Sequence, residues 1–328
     1  MKTPTIENIK LPVQNELDKF QEIFESVIQS DAPLLTRVLR YMIKNKGKQL
    51  RPVFVFLSAK AAHGFVHPKA HVGASLVELL HSATLIHDDV VDGADFRRRM
   101  FSVPALWKSK VSVLVGDYLL GAGLKLAVEN EAYAMLKELS LAVEEISKGE
   151  LIQLERTRTE VYDQQIYFNV IQKKTAALLA AACAIGVHSS PLENTLEIRN
   201  SLYEYGLQLG MAFQIKDDLF DYGEAEVGKP RGNDLREGKK TLPLILAYQS
   251  ASEKDRRWLN RQARLARRQR VSRTKVIRFV RESGAVEESE KIMLQYAELA
   301  KGHLRTLSPG PAVDSLQHLV DYSMTRKL

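Results

Sequence analysis

The chain has 328 residues, of which 45% are hydrophobic, and its formal net charge is +7 at pH 7. This composition is ample for a buried core in one large domain or two ordinary ones. Cys183 is the only cysteine, which excludes an internal disulfide and favours a reducing compartment.

The amino-terminal residues 1–12 are predicted to form a flexible arm, because Pro4 and Pro12 discourage regular structure. The arm has neither an apolar signal core nor an Arg/Ser-rich transit character, so a cytoplasmic location is expected. Residues 13–328 are predicted to form a single all-helical domain, because no low-complexity linker divides them.

Helical periodicity begins directly after the arm. Apolar residues recur at intervals of three and four from Val13 to about Ser30, and a second helix is predicted at about residues 34–44. The basic turn NKGKQLRP follows. An apolar run then predicts a buried helix with Pro52 in its first turn.

A helix that begins near Lys69 carries the first acidic motif, LIHDDVVD. One stripe of this helix holds His81, Leu85, Asp88 and Asp92. Its two carboxylates lie one turn apart and repel each other unless a cation or water screens them. Oxygen ligands at this spacing suit Mg²⁺, which completes its shell with water and substrate phosphates. A single motif of this kind also fits a solvated acidic face.

A second copy of the motif, Asp217, Asp218 and Asp221, lies in GMAFQIKDDLFDY. Both copies interrupt strongly apolar segments, where carboxylates are costly unless they are paired or bound to metal. Two such helices that face each other would form a cup for several Mg²⁺ ions and a polyanion. The repetition therefore favours a metal-dependent site.

Proline is absent from Ala105 to Ser190 and from Leu244 to Ser308. Long Leu/Ala/Glu/Lys-rich tracts without strand alternation predict an all-α protein. The longest apolar run, residues 176–187, is too short to span a bilayer. A basic run at residues 254–282 fits a solvated helical face, and it predicts no nucleic-acid partner because no zinc-knuckle, RNP or P-loop pattern accompanies it.

Cationic side chains recur in the predicted loops: Lys48, Arg51, Arg97, Arg98, Lys173, Lys174, Lys229, Lys239 and Lys240. Combined with the acidic motifs they suit diphosphate groups, since phosphate oxygens accept bidentate Arg contacts and metal bridges together. The glycine-containing stretch 222–243 is expected to be a mobile basic loop. The sequence has no Walker, dinucleotide-binding, serine-hydrolase or zinc-protease motif.

Seven short motifs occur along the chain in this order: GKQLRP, LIHDDVVD, LVGD, KGELIQ, KTAALL, FQIKDDLFDY and GNDLREGKKTLP. Their order and spacing resemble those of the trans-isoprenyl diphosphate synthase (polyprenyl synthetase) family, especially its long-chain branch. The resemblance implies a single large bundle of long antiparallel helices around a deep apolar cavity, usually in a homodimer. It also implies Mg²⁺-dependent head-to-tail addition of isopentenyl diphosphate to an allylic diphosphate primer of the farnesyl or geranylgeranyl type.

The resemblance further implies roles for individual residues. The isopentenyl diphosphate site is expected to contain Lys48, Arg51, His81 and Arg98. All six acids of the two motifs are expected to be catalytic: Asp88 and Asp92 bind metal with support from Asp89, and Asp217, Asp218 and Asp221 match the second metal motif, in which Asp217 is the expected ligand. The allylic substrate is expected to lie near Arg97, Lys174, Thr175 and Gln214. The loop that closes over the phosphates carries Lys239.

Three positions depart from the family pattern. Arg99 stands where the family usually has glycine, Lys216 replaces an apolar residue, and Asn233 replaces an acid of the closing loop. By helical geometry Lys216 is expected to point away from the carboxylates, and activity is expected to survive all three changes.

Product length is expected to depend on Ala83 and Thr84, five and four residues before Asp88. Short-chain members of the family often carry aromatic rings there, which act as a floor. Small side chains leave room for a growing chain, because packed interiors offer few other voids. A product of about six to ten isoprene units is expected, with slow release and peripheral membrane contact.

Two other functions fit parts of the pattern. A class I terpene cyclase shares the first acidic motif, but its second motif usually mixes Asn, Ser or Thr with an acid. A non-catalytic or regulatory subunit of a heteromeric prenyl synthase typically loses one acidic motif, whereas this chain keeps both. A structural helical protein with incidental acids is the least favoured interpretation.

Overall fold

The structure is a computed structural model that describes residues 5–44, 49–97, 100–157, 159–190, 196–223 and 232–326. Within these ranges the chain forms sixteen α-helices and one short antiparallel hairpin, which pairs β1 (Phe96–Arg97) with β2 (Met100–Phe101). The predicted all-α class is confirmed. The hairpin was not expected from the sequence.

The helices follow one another through short connections. In the first half they are α1 (Ile6–Lys10), α2 (Gln14–Val27), α3 (Pro33–Lys44), α4 (Leu50–His63), α5 (Lys69–Val91), α6 (Val103–Glu129) and α7 (Tyr133–Thr157). In the second half they are α8 (Gln164–Ile171), α9 (Ala177–Val187), α10 (Leu196–Phe220), α11 (Asn233–Glu237), α12 (Leu242–Ser250), α13 (Glu253–Ala266), α14 (Arg270–Glu282), α15 (Ala285–His303) and α16 (Pro311–Thr325).

Residues 5–12 differ from the predicted flexible arm. The side chain of Thr5 caps α1 by accepting a hydrogen bond from the backbone N–H of Asn8. Ile9 is fully buried, and α1 packs on α16 at the other end of the chain. Pro12 lies in the short 3-10 turn that joins α1 to α2, so it redirects the chain without leaving it loose.

The helices that carry the acidic motifs are packed closely by their neighbours. A Cβ added at Gly210 of α10 would lie 2.5 Å from the Cα of Ala176, so only glycine allows this approach. Ala176 ends a π-helical turn, Gln172–Ala176, which joins α8 to α9. The close contact therefore places the middle of α10 directly against that turn.

The predicted mobile loop at residues 222–243 is partly helical. Asn233–Glu237 forms α11, and Leu235 is buried in a second hydrophobic cluster with residues of α12, α13 and α14. This packing explains why a glycine-containing, charged stretch holds a defined shape there. Residues 224–231, including Lys229, lie outside the described residues.

Within the described part of the chain, two helical stretches are long and apolar enough to cross a membrane by length and composition alone: Gln164–Val187 and Val103–Glu129. The first is 72% buried inside the protein over its most apolar window, as expected of a core helix. The second is only 33% buried, so α6 presents an apolar face to the outside.

Candidate active site

Both acidic motifs lie at the carboxyl ends of buried helices. Asp88 is in the last turn of α5, and the backbone N–H of Asp92 caps this helix by donating to the Asp88 carbonyl, with a donor–acceptor distance of 2.8 Å. Asp217 is in the last turn of α10, and Asp221 is the first residue after this helix. A helix carboxyl end carries a partial negative charge from its free carbonyls, so it repels carboxylates and attracts cations.

The three acids of the first motif have different surroundings. Asp89 is buried and accepts a hydrogen bond from Nε of Arg97, at 2.8 Å, so it fixes the position of that cation. Asp88 is half-buried and Asp92 is exposed, and neither has an ion-pair partner among the described residues. Burial raises the pKa of Asp88, Lys174 opposes this effect, and Asp92 adds to it. Among the described residues, Asp88 and Asp92 are therefore the acids of this motif whose carboxylate oxygens are not engaged in a direct ion pair.

In the second motif, Asp218 is a buried acceptor within a hydrogen-bond network. The hydroxyl of Tyr167 donates to Oδ2 of Asp218 at 2.7 Å, and Nε2 of Gln214 donates to Oδ1 at 2.9 Å. The hydroxyl of Thr175 in turn donates to Oε1 of Gln214 at 2.7 Å. The chain of bonds holds the Asp218 carboxylate in one orientation and links it to the π-helical turn.

Asp221 is tied to α11. It accepts a hydrogen bond of 2.7 Å from the backbone N–H of Asp234. Burial, followed by the neighbouring Asp234, raises the pKa of Asp221 to about 7, and the same two causes raise that of Asp218 to about 8. The second motif therefore brings several carboxyl groups together in partly buried surroundings. A bound cation would stabilise their ionised forms.

Lysines of the π-helical turn are held by carboxylates of α7. Lys174 forms an ion pair with Glu150, and Lys173 forms one with Glu145. The two elements approach so closely that a Cβ at Gly149 would lie 3.0 Å from the backbone nitrogen of Lys174. Single π-helical turns within helices are frequent at functional sites. Here the turn places Lys174 near enough to Asp88 to oppose the rise in the pKa of that carboxyl group that burial causes.

Lys239, just after α11, joins the two motifs electrostatically. Its Nζ lies 2.5 Å from Oε2 of Glu237 and 3.7 Å from Oδ1 of Asp234. Burial lowers the pKa of Lys239, but Asp234, Glu237 and also Asp92 raise it well above its usual value. Asp92 belongs to the first motif, while Asp234 contacts Asp221 of the second. Lys239 therefore contacts Asp234 beside the second motif and lies close enough to Asp92 of the first to interact with its charge.

Two cavities open beside this site. The first is bordered by Lys174, Thr175, Gln214, Asp218, Asp234, Lys239 and Lys240, among others. The second is bordered by His81, Asp89 and Arg97 and also by apolar side chains such as Phe24, Ile28, Leu39 and Leu119. Charged and apolar side chains around one cavity suit a substrate that has a diphosphate head and a hydrocarbon tail.

The small residues before Asp88 face different directions. Ser82 borders the second cavity, whereas Ala83 and Thr84 border neither cavity. Ala83 is fully buried, and the half-buried Thr84 donates its hydroxyl hydrogen bond to the His81 carbonyl at 3.0 Å. The proposed effect of Ala83 and Thr84 on product length stays a prediction.

Several expected site residues cannot be placed. Lys48, Arg98 and the unusual Arg99 lie outside the described residues. Arg51 is described: it is half-buried and lies in the first turn of α4.

The other two departures from the family pattern have defined contacts. The Nζ of Lys216 lies 5.5 Å from the centre of the Phe220 ring, and the lysine makes no ion pair with the acidic motif within the described part of the chain. Nδ2 of Asn233 donates to Oε1 of Glu237 at 2.6 Å, which shows how an amide is accommodated in α11.

The structure adds four residues that the sequence analysis did not assign: Glu150, Tyr167, Asp234 and Arg326. Glu150 lies in the motif KGELIQ and Asp234 in GNDLREGKK, so the sequence motifs could have indicated both acids. Tyr167 and Arg326 contact acids that are 51 and 109 residues away in sequence, so no local pattern indicates them.

The donors fit a hard divalent cation that is shared with a substrate. They are carboxylate oxygens only, and the pKa values of Asp88, Asp218 and Asp221 are raised, as expected where negative charge is unbalanced. Among the described residues, no three acidic, histidine or cysteine side chains converge closely enough to hold a metal ion alone. Mg²⁺ commonly takes one or two carboxylates and completes its shell with water and substrate phosphates.

Without a divalent cation, the free energy of unfolding is expected to fall as the pH rises from about 4 to about 8. The folded-state pKa values of Asp218 and Asp221 are about 8 and about 7, against an ordinary value of 3.8, so the folded chain keeps protons that the unfolded chain has already released. A divalent cation binds the ionised carboxylates. Mg²⁺ is therefore expected to raise the Tm about 2–5 °C more at pH 8 than at pH 6.

Thermal unfolding at both pH values, with and without Mg²⁺, measures this effect. Asp221→Asn removes one of the titrating groups and is expected to reduce the difference. A shift of equal size at both pH values would contradict the link between the raised pKa values and metal binding.

Comparison with known proteins gives the following matches. Residues 32–279 match the family model described as Polyprenyl synthetase. The chain is 30% identical to heptaprenyl diphosphate synthase component 2 of Bacillus subtilis, over 96% of this chain and 89% of that protein. It is 39% identical to octaprenyl diphosphate synthase of Escherichia coli, over 67% and 68%, and 32% identical to a short chain isoprenyl diphosphate synthase of Methanothermobacter thermautotrophicus, over 97% and 99%.

Among solved structures, the fold is similar to that of a polyprenyl synthase from Caulobacter crescentus complexed with calcium and isoprenyl diphosphate. The TM-score is 0.91 and the sequence identity 31%, and the match covers 100% of both chains.

Proposed function

Because this chain belongs to the polyprenyl synthetase family, and is therefore a prenyltransferase of the prenyl diphosphate synthase type, we propose that it condenses isopentenyl diphosphate head-to-tail with an allylic diphosphate, uses Mg²⁺, and makes a long-chain all-trans product. The observation that carries the proposal is that fixed cations contact both acidic motifs: Arg97 is paired with Asp89 of the first motif, and Lys239 is paired with Asp234, whose backbone N–H donates to Asp221 of the second.

The first chemical step breaks the carbon–oxygen bond between the allylic group and its diphosphate. Metal ions held by Asp88, Asp92 and Asp217 would supply positive charge to the departing diphosphate. The chain's own cations support this step because each is held in place: Arg97 by Asp89 and Lys174 by Glu150. Donors and charges that are fixed before the reaction stabilise developing charge without a reorganisation cost.

The second step forms the new carbon–carbon bond. The allylic cation, kept from water by the apolar side chains of the site, is attacked by the double bond of isopentenyl diphosphate. The product then loses one proton, and released diphosphate is the proposed acceptor, as the family resemblance implies. Lys239 and the neighbouring Lys240 border the cavity where diphosphate would remain.

Arg51 is expected to act on isopentenyl diphosphate and not on the allylic primer. Arg51→Ala removes a charge-assisted contact to a phosphate, so the KM for isopentenyl diphosphate is expected to rise about 10- to 100-fold. Arg97→Ala is the matched variant, because Arg97 is also an arginine of the site but is held by Asp89 of the first motif. Arg97→Ala is expected to raise the KM for the primer more than the KM for isopentenyl diphosphate. Steady-state kinetics with each substrate varied in turn measures both. Equal effects of Arg51→Ala on both KM values would contradict the division.

A long product is proposed although the named relatives make products of different lengths. The relatives include octaprenyl, heptaprenyl and short-chain synthases. Ala83 and Thr84, small residues where short-chain members often carry aromatic rings, favour the long product.

Incubation of the purified chain with Mg²⁺, labelled isopentenyl diphosphate and allylic primers of increasing length, followed by chromatography, tests the proposal. Failure to extend any primer contradicts the enzyme function. A product that stops at about three or four units contradicts only the long-chain proposal.

We also propose that the chain forms a homodimer through α6 and α7. Exposed apolar side chains follow helical spacing on α6, at Val113, Leu114, Leu124 and Val128. Further exposed apolar side chains lie on α7: Leu141, Leu151 and Leu154. Clusters of exposed apolar side chains are typical of an interface, and α6 and α7 contact each other. Light scattering after gel filtration is expected to give twice the mass of one chain, and Leu124→Glu is expected to give the monomer.

A heteromeric enzyme is the second candidate, because one relative is a component of heptaprenyl diphosphate synthase. The presence of both acidic motifs favours activity of this chain by itself. Turnover of the purified chain without any partner distinguishes the two arrangements. A cytoplasmic location with peripheral membrane contact during product release also remains a proposal, which cell fractionation tests.

A further inference from the structure

Arg326, the residue that follows α16, contacts the second acidic motif from the far end of the chain. Its guanidinium forms an ion pair with Oδ1 of Asp217, 109 residues away in sequence. The guanidinium carbon lies 3.9 Å from the ring centre of Phe213 and 5.7 Å from that of Phe220. The Arg326 side chain is only 16% exposed, whereas that of Asp217 is 39% exposed. The contact therefore combines an ion pair with two aromatic faces.

We propose that Arg326 is an internal counter-ion of the second acidic motif, which competes with the divalent cation for Asp217. The inference rests on the proposed function, in which Asp217 is a metal ligand. A carboxylate that is paired with a guanidinium has lost part of its negative charge and one of its acceptor positions. A metal ion that binds Asp217 must displace Arg326 or accept a weaker ligand. Removal of the arginine therefore strengthens metal binding.

The surroundings explain why the arginine holds this position without a substrate. Aromatic rings attract a cation over their faces, and the rings of Phe213 and Phe220 both lie near the Arg326 guanidinium. The backbone N–H of Arg326 also donates to the carbonyl of Tyr322 at 3.0 Å, which continues the last turn of α16. Backbone and side chain are thus both fixed. This arrangement lowers the entropy cost of the ion pair compared with an exposed one.

A purely structural tether between α16 and α10 makes a different prediction. Such a tether is already present, because the hydroxyl of Tyr205 in α10 donates to the carbonyl of Leu316 in α16 at 2.8 Å. If Arg326 were only a second tether, its loss would change the Tm and leave metal affinity unaltered. Metal affinity is therefore the measurement that separates the two roles.

The experiment is a Mn²⁺ titration of the full chain without substrate, with free Mn²⁺ measured by electron paramagnetic resonance. Arg326→Gln is expected to lower the half-saturating Mn²⁺ concentration about three- to tenfold. Arg326→Lys, which keeps the charge, is expected to lie between wild type and the glutamine variant. Arg305→Gln removes an exposed arginine that has no ion pair among the described residues, and it is expected to match wild type.

A double-mutant cycle shows whether the effect passes through Asp217. In an Asp217→Asn background, Arg326→Gln is expected to change Mn²⁺ affinity by less than about twofold. Equal Mn²⁺ affinities of wild type and Arg326→Gln, with both folded by circular dichroism, overturn the counter-ion role. Turnover is measured separately with the wild type: an inactive wild type contradicts the proposed function, whereas an active wild type with unchanged affinity in the variant contradicts only the role of Arg326.

Discussion

Asp88→Ala and Asp217→Ala are each expected to lower kcat about a thousandfold or more, with a much smaller change in the KM for either substrate. Both carboxylates are metal ligands in the proposed mechanism, and the metal charge stabilises the departing diphosphate most strongly in the transition state. An interaction of that kind affects turnover more than substrate affinity. Both residues lie at helix carboxyl ends, so their loss is expected to leave the fold intact.

Steady-state kinetics and circular dichroism of the two variants measure turnover and folding separately. Asp18→Ala is the matched control, because Asp18 is an exposed carboxylate on α2 and its loss is expected to leave kcat near the wild-type value. Near-normal turnover of either Asp88→Ala or Asp217→Ala would show that the acidic motifs do not hold the catalytic metal. The proposed mechanism would then be wrong.

Ala83→Tyr is expected to shorten the product from about six to ten isoprene units to about three or four, while the first condensations continue. Ala83 is fully buried on α5 and lies one turn before His87. An aromatic ring at this position would occupy volume that a growing chain needs. The packed interior offers few voids into which either group moves.

Two measurements keep the Ala83→Tyr result interpretable. A ring inserted at a fully buried site also strains the packing of α5 by about 1–3 kcal/mol, so the Tm of the variant is measured first. Ser82→Tyr is the matched variant, because Ser82 borders the cavity near His81 and Arg97. It is expected to weaken isopentenyl diphosphate binding with little effect on length.

The chromatographic profiles of the two variants show whether the growing chain runs past Ala83 or through the cavity that Ser82 borders. An unchanged product distribution in folded Ala83→Tyr contradicts its role as a pocket floor. A shortened product in Ser82→Tyr alone would instead place the growing chain in the cavity between α2, α3, α5 and α6.

The all-α class and the positions of both acidic motifs follow from the sequence alone. Helical periodicity, long proline-free tracts and the one-turn spacing of Asp88 and Asp92 depend on residues within a few positions of each other. Local geometry of this kind is retained when the chain folds. The predicted start of the acid-bearing helix near Lys69 agrees with the observed start of α5.

The two regions that differ from expectation are stabilised by distant contacts. Residues 5–12 include Pro12 and few apolar residues, but Ile9 is fully buried and α1 packs on α16. Asn233–Glu237 lies in a charged, glycine-containing stretch, but Leu235 packs into the cluster formed with α12, α13 and α14. Local propensity is a weak guide where tertiary packing supplies the stabilisation.

The sequence by itself determined which residue types the chain has for metal and diphosphate binding, since paired acids, lysines and arginines are visible as motifs. The tertiary structure alone decided their partners: Lys239 near Asp92, Tyr167 on Asp218, and Arg326 on Asp217. These contacts join residues on different helices, far apart in sequence. Side-chain spacing along one helix cannot indicate them, because they depend on how α5, α10, α11 and α16 pack against one another.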